Sequence, residues 1–232
     1  MAAFDKNALL STNYLFRDLD TRVVSRIAAL GVSRRLDEDE VLFLKGDVGD
    51  ALYGVLDGRM RISITAAGGK EIVLSVMQPG DVFGEIALLD GGPRSADAVA
   101  MTDCTLFAIA RREFVGLLER EPRLATHLLR LVCTRLRATS EMVEDAAFLS
   151  LPARLAKRLL ALAPMQGEKV DGAVSLRVSQ SDLAQIMGTS RESINKHLQR
   201  WRADGWVDLG RSRVTLRRPQ ALQELVDAGG EV

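Results

Sequence analysis

The sequence predicts an α+β chain in which an antiparallel, jelly-roll-like β-roll is followed by one long helix and then by a winged helix-turn-helix. Three observations predict this. Short apolar runs separated by glycine turns fill residues 41–110, a heptad-spaced apolar stripe follows Pro122, and two helix-capping signals flank Gly188. The expected limits are 1–121 for the roll with a lead-in helix, 122–148 for the long helix and 149–232 for the winged unit.

A length of 232 residues suits two domains, and 47% hydrophobic with 27% charged residues is ordinary globular composition. No apolar run approaches the roughly 18 residues that a membrane span needs. The segment MAAFDKNALLSTNY lacks a basic flank followed by an apolar core, so the expected address is the cytoplasm, with no membrane partner. Cys104 and Cys133 stand far apart without a CxxC, which argues against a disulfide framework; both read as small buried hydrophobes. His127 and His197 are isolated, read as solvent-facing or satisfied core residues, and leave no metal expected. Net charge is zero, yet residues 1–149 carry −4 and residues 150–232 carry +4. That asymmetry points mildly to an acidic partner such as DNA, although a solvated basic face gives the same balance.

Leu15, Leu19, Val23, Ile27 and Leu30 recur at helical spacing up to Gly31, which predicts a short amphipathic lead-in helix. The period then changes. VLFLKGD, ALYGVLDG, RMRISITAAGGKEIVLSV and ADAVAMTDCTLFAIA read as strands, separated by Lys45-Gly46-Asp47, Asp57-Gly58, Gly68-Gly69 and Pro79-Gly80 turns. Strands at this spacing indicate a small antiparallel barrel or roll. From Pro122 to about Phe148, Ala125, Leu129, Val132, Leu136, Thr139, Val143 and Ala146 alternate steps of four and three, the seam of a two-stranded coiled coil. Leu124, Leu128 and Leu131 form a second apolar face that can pack on the roll. Two apolar faces need two neighbours, so the helix reads as the spine of its own domain and as a homodimer contact; a helix buried within one domain is the alternative. FLSLP reads as a joint, since Pro152 suits the first turn of the next helix. Beyond it the pattern gives a helix, a loop with a short strand over residues 167–178, two helices, a two-stranded wing (WVDLGRSRVTL) and a terminal helix.

FGEIALLDGGPRSADAVA joins two roll strands and has the chemistry of an anion cradle. Gly84 permits close backbone approach, and Glu85, Ile86 and Ala87 open a helical turn whose free N–H groups suit a phosphate. Arg94 supplies a planar cationic fork and Ser95 a hydroxyl donor. Glu85 repels a bare phosphate, but it fits a sugar hydroxyl held beside one.

GEIALL, DGG and PRSA together resemble the phosphate-binding cassette of cyclic-nucleotide-binding domains, and the chain from about Leu15 to Leu216 resembles the Crp/Fnr family of bacterial regulators. The resemblance implies a cAMP effector, with cGMP possible and no metal: Glu85 on the ribose 2′-OH, Arg94 and Ser95 on the cyclic phosphate, and backbone contact from Gly84. RLRATSEMVEDAAFL resembles the family's dimer helix, in which a Thr-Ser pair reaches the adenine and the Ser comes from the opposite subunit. Thr139 and Ser140 fall on those positions, although Thr139 also reads as a register-setting or tolerated polar residue in the seam. A base held between two subunits couples ligand occupancy to dimer geometry.

In VSQSDLAQIMGTSRESINKHLQRW, Ser179 reads as an N-cap with Asp182 three residues on, Gly188 as the turn and Ser190 as the next N-cap. Ile194, Leu198 and Trp201 face inward, leaving Arg191, Glu192, Asn195, Lys196, Gln199 and Arg200 outward, the pattern of a reading helix in a helix-turn-helix. Arg suits guanine and Glu suits cytosine in the major groove. SRES resembles the start of the family's recognition helix, which implies Arg191 and Glu192 as base readers on a palindromic double-stranded site. Lys196 stands where the family often has Arg and cannot make a bidentate contact, so the half-site stays open. Ser179, Arg211 and Arg213 are candidates for phosphate contact, the wing arginines being equally explicable as solvent-facing. The resemblance also implies RNA polymerase as a partner. A redox or gas sensor of this architecture would need a cysteine cluster or haem ligand that the sequence lacks, a regulatory subunit would not need the winged helix, and no catalytic grouping marks an enzyme.

Overall fold

The computed structural model describes residues 15–16, 19–69, 71–170 and 172–229. The chain packs as two compact units, one made of residues up to Thr65 with Val73–Arg137, the other of Ala66–Ile72 with the residues from Ala138 onward.

Helix α1 (Thr21–Leu30) begins where the Asp20 carboxylate accepts the Arg22 N–H at 2.8 Å, and it buries Val23, Val24 and Ile27. The sequence reading started this helix at Leu15; Leu15 and Phe16 instead form a buried turn ahead of it, and residues 17–18 lie outside the described residues. Gly31 ends α1 in extended conformation, and a Cβ there would fall 1.7 Å from the Phe107 ring. Close packing, not a left-handed turn, demands glycine at this stop.

The roll consists of two four-stranded sheets. One runs β1 (Val32–Leu36), β8 (Cys104–Ala110), β3 (Ala51–Asp57), β6 (Val82–Phe83); the other runs β2 (Val41–Phe43), β7 (Asp97–Ala100), β4 (Met60–Thr65), β5 (Glu71–Met77). Pairing between β1 and β8, β3 and β8, β3 and β6, β2 and β7, and β4 and β7 is antiparallel. Leu106, Phe107 and Ile109 of β8 are central to the core, as expected for a strand paired on both sides. Strand β1 was not foreseen: VSRRL exposes four of its five residues and occupies a sheet edge, so it carries no apolar alternation to read. Helix α2 (Glu85–Asp90) follows β6, and α3 (Arg111–Arg120), also unforeseen, follows β8 and buries Phe114 and Leu117.

Helix α4 spans Pro122–Phe148, the span expected for the long helix. Its two apolar faces have different fates. Leu124 and Leu128 are buried in the roll core with Leu131 packed against it, whereas Leu129, Leu136 and Val143 of the heptad seam are 65%, 65% and 64% exposed. Cys104 is buried as expected, but Cys133 is exposed, which corrects the reading of both cysteines as buried; it follows Val132 on the helix surface outside the face that meets the roll. His127 is a satisfied core residue, its Nδ1 lying 3.1 Å from the Leu15 carbonyl oxygen.

The winged unit opens with α5 (Leu151–Gln166), N-capped by Ser150 with Pro152 in its first turn, where the missing N–H costs nothing. A hydrogen bond of 2.7 Å from Lys157 to Asp145 joins α5 to α4 and raises the Lys157 pKa. Then come β9 (Gly167–Val170), β10 (Ala173–Leu176), α6 (Gln180–Met187), α7 (Arg191–Ala203), β11 (Val207–Gly210), β12 (Arg213–Leu216) and α8 (Pro219–Asp227). The expected single strand over residues 167–178 is a hairpin, and β10 pairs with β12, so the wing belongs to one four-stranded sheet, β11-β12-β10-β9, rather than standing as two strands. Leu155, Leu159, Leu176, Leu183, Ile194, Leu198 and Trp201 make its core.

Candidate functional site

Two sets of candidate residues take shape, one in the roll and one in the winged unit. In the roll, β6 is followed by Gly84 with φ +85°, a left-handed conformation that glycine adopts without strain. A Cβ at Gly84 would come within 2.7 Å of Arg94 Nη1 and 3.2 Å of the Ala51 carbonyl oxygen, so side-chain absence and backbone shape are both required. Helix α2 starts at the next residue, buries Glu85 and Ala87, exposes Ile86, and closes at Gly91 with φ +72°. Asp90 fixes the following turn by accepting the Gly92 N–H at 2.8 Å, and Arg111 Nε donates to the Leu88 carbonyl at 2.9 Å.

Arg94 is 3% exposed. Its Nη1 donates to Gly84 O at 3.0 Å and its Nη2 to Ala51 O at 2.8 Å, while the guanidinium carbon lies 4.3 Å from the centroid of the Phe43 ring. Asp50, largely exposed, lies 3.6 Å from Nη2. Arg94 Nε is buried with no hydrogen-bond partner among the described residues, an unspent donor of the kind that calls for an acceptor from outside the chain. Ser95 next to it is exposed. Glu85 is 2% exposed and ion-paired with Arg135 of α4, which also donates to the Val82 carbonyl oxygen. Arg135 is a candidate-site residue that the sequence does not point to. The signal was available in principle, because a carboxylate buried in an apolar roll needs a cation, but nothing local to Glu85 says which arginine supplies it.

In the winged unit the expected capping is all present. Ser179 and Asp182 form a reciprocal capping box at 3.0 Å in each direction, Gly188 turns with φ +59°, and Ser190 Oγ accepts the Ser193 N–H at 3.1 Å. Ile194, Leu198 and Trp201 anchor α7, leaving Arg191, Glu192, Lys196 and Arg200 exposed, with Asn195 half-buried and 3.4 Å from Gln199 Nε2. A cleft of about 350 Å³ brings the start of α6 (Ser179 to Ser181), Arg191 and the wing turn from Gly210 to Arg213 together. Ser212 forms that turn with φ +50°.

Residues 33–121 match the cyclic nucleotide-binding domain family and residues 153–225 the Crp-like helix-turn-helix domain family. A CRP-like cAMP-activated global transcriptional regulator of Mycobacterium tuberculosis is 35% identical over 170 residues, covering 72% of this chain and 76% of the relative. The cyclic AMP receptor protein of Thermus thermophilus is 34% identical over 211 residues, covering 91% of this chain and 95% of that one. The chain belongs to the Crp/Fnr family of transcription regulators. It is also similar in structure, at a TM-score of 0.77 and 26% identity over 85% of this chain and 99% of the other, to the c-di-GMP responsive global regulator CLP of Xanthomonas campestris. Members of this family bind DNA and act as dimers, and they are regulators rather than enzymes.

Against that family pattern, the structure brings Gly84, Glu85, Ala87 and Arg94 together in the roll, with Ser95 at its surface. Thr139 and Ser140 are exposed on α4, within the other unit. In the wing, Arg213 is engaged by its own sheet, 3.3 Å from Ser175 Oγ and 3.6 Å from Glu168, whereas Arg211 is exposed. His197, beside the reading face, has its pKa lowered by burial and by its neighbours Lys196 and Arg200. Among the described residues no cluster of His, Cys, Asp or Glu fits a metal ion, and no helix is long and apolar enough to cross a membrane.

Proposed function

We propose that this chain is a homodimeric, cAMP-responsive, sequence-specific DNA-binding regulator. The observation that carries the reading is Arg94: a buried guanidinium set behind Gly84, its Nε without a partner among the described residues, beside a buried glutamate. These residues fit a cyclic nucleotide, whose chemistry is one phosphate charge next to one sugar hydroxyl. Arg94 and Ser95 would hold the phosphate, Gly84, Ile86 and Ala87 would offer backbone around it, and Glu85 would accept from the 2′-OH. The exposed heptad seam supports the dimer, since large apolar side chains such as Leu129 and Val143, about two-thirds exposed at heptad spacing, suit burial against a second copy of the helix. Thr139 lies in that seam with Ser140 next to it, which supports their role as base contacts shared between subunits. The relatives named for cAMP favour adenine over guanine, and the c-di-GMP responsive one makes the dinucleotide a necessary comparison.

For DNA, Arg191 and Glu192 are the proposed base readers on a palindromic site, with Asn195, Lys196 and Arg200 completing the face. Ser179, Ser190 and Arg211 are the proposed phosphate contacts, and Arg213 is a weaker candidate because its sheet already engages it. Effector occupancy would shift the dimer toward the conformation that presents both reading helices. The regulator would work in the cytoplasm and in contact with RNA polymerase. Isothermal titration of the wild type and Arg94→Ala with cAMP, cGMP and c-di-GMP tests the effector. The expected result is cAMP binding that the variant loses; no cAMP binding, or binding unchanged in the variant, overturns it.

A further inference from the structure

Asp97 is the first residue of β7, two positions after Ser95, and it is a carboxylate only 8% exposed. Burying a carboxylate is costly, so it stays where its oxygens do something an apolar side chain cannot. Here Oδ1 accepts the Lys45 backbone N–H at 2.7 Å and Oδ2 accepts the Thr65 hydroxyl at 2.9 Å. The bond from the Lys45 amide is the shorter of the two.

The turn that Asp97 grips is the one that holds Arg94. Gly46 N donates to Arg94 O at 2.9 Å, Arg94 N donates to Asp47 O at 2.8 Å, and the Asp47 side chain accepts Leu44 N at 2.8 Å. The main chain of Arg94 is therefore clamped on both sides by residues 46 and 47, and their neighbour Lys45 is fixed by Asp97. Thr65 ties the same carboxylate to the end of β4. Ser63 faces Asp97 directly in the β4–β7 register, yet its hydroxyl is buried without a hydrogen-bond partner among the described residues. The carboxylate is thus aimed past its immediate cross-strand neighbour, at the turn.

We propose that Asp97 is a positioning residue for the nucleotide cassette, setting the place of Arg94 and Ser95 through the Lys45 amide and the Thr65 hydroxyl. It touches no effector itself. The proposal rests on reading Gly84 to Ser95 as a cyclic-nucleotide site, and its test separates the two. An amide at this position keeps both bonds, Oδ1 taking the Lys45 N–H and Nδ2 donating to Thr65 Oγ1, so Asp97→Asn is the rescuing variant.

Titration with cAMP and with cGMP is measured on the full chain for wild type, Asp97→Ala, Asp97→Asn, Thr65→Val, Ser63→Ala and Ile27→Ala, the last a core change in α1. Asp97→Ala is expected to weaken binding about tenfold or more, because a binding group left loose by its supporting residues loses affinity steeply. Thr65→Val, which loses one of the two bonds, should fall between it and wild type. Asp97→Asn and Ser63→Ala should stay within about twofold, and Ile27→Ala should lower the melting temperature while leaving affinity in place. If wild type binds neither nucleotide, both the cassette reading and this proposal fall. If wild type binds and Asp97→Ala does too with equal affinity, or Asp97→Asn fails to rescue, or Ile27→Ala costs as much affinity as Asp97→Ala, only the positioning role falls. Should Asp97→Ala not fold, unchanged affinity in Thr65→Val overturns the proposal by itself.

Discussion

The roll and the reading helix each carry an arginine and a glutamate proposed above as ligand contacts, Arg94 with Glu85 and Arg191 with Glu192, and they treat them in opposite ways. In the roll both side chains are at most 3% exposed, and each has structural partners: two backbone carbonyls for Arg94, and Arg135 for Glu85. On α7 both are exposed, and the fold is carried by Ile194, Leu198 and Trp201 on the opposite face. The lesson is that ligand chemistry and folding are coupled in the first region and separable in the second. A buried charge must be satisfied whether or not a ligand is bound, so its removal is felt by the whole roll. An exposed charge spends nothing on the fold and is free to discriminate.

Substitutions can break that contrast, beginning with the largest effect. Arg94→Ala should cost on the order of 100-fold in cAMP affinity and, by stranding the Gly84 and Ala51 carbonyls, about 1–3 kcal/mol of stability. Calorimetric titration and thermal melts check the two together, and a variant with wild-type melting behaviour would show that the carbonyl bonds carry no folding energy. Glu85→Gln leaves Arg135 without its counter-charge. The expected cost is about 1–3 kcal/mol in urea denaturation, below the range for a fully buried pair because the Arg135 side chain is 29% exposed. Arg191→Ala should cost about 1–3 kcal/mol in specific DNA affinity and relax preference at one base position, with stability within about 0.5 kcal/mol of wild type. A large drop in melting temperature for this variant would erase the distinction between the two regions.

The smallest effect concerns His197 at the edge of the reading face. Burial first, then Lys196 and Arg200, hold its folded pKa below 6.5. As pH falls through about 6.5 the unfolded chain takes the proton before the folded one does, so stability is complete above that pH and declines below it, down to the folded value. His197→Gln should flatten the pH dependence of winged-unit stability below about pH 6.5. An identical slope in the variant would show that His197 titrates alike in both states.

How much of this was legible in the sequence follows the same division between local and distant causes. Capping at Ser179, Asp182, Gly188 and Ser190 depends on residues within a few positions of each other, and each was read correctly. The limits of α4 and its two faces followed from periodicity. What was missed depends on partners far along the chain. The pairing of Arg135 with Glu85 joins residues 50 positions apart, and the bond from β10 to β12 turns a two-stranded wing into a four-stranded sheet. Strand β1 hides its identity because an edge position tolerates exposed arginines. Helix α3 hides because its charged start, Arg111-Arg112-Glu113, follows a strand without a turn signal. Cys133 was misjudged because cysteine's usual burial says nothing about which side of a helix it occupies.

A nucleotide in the roll is proposed to govern DNA reading by the winged unit. The most direct test is fluorescence anisotropy of a labelled palindrome, selected from random DNA, titrated with the protein with and without cAMP at fixed salt. Markedly tighter specific binding is expected with cAMP, with no such gain on non-specific DNA and no gain for Arg94→Ala. Equal affinity with and without cAMP for the wild type, or a gain that Arg94→Ala retains, would contradict it.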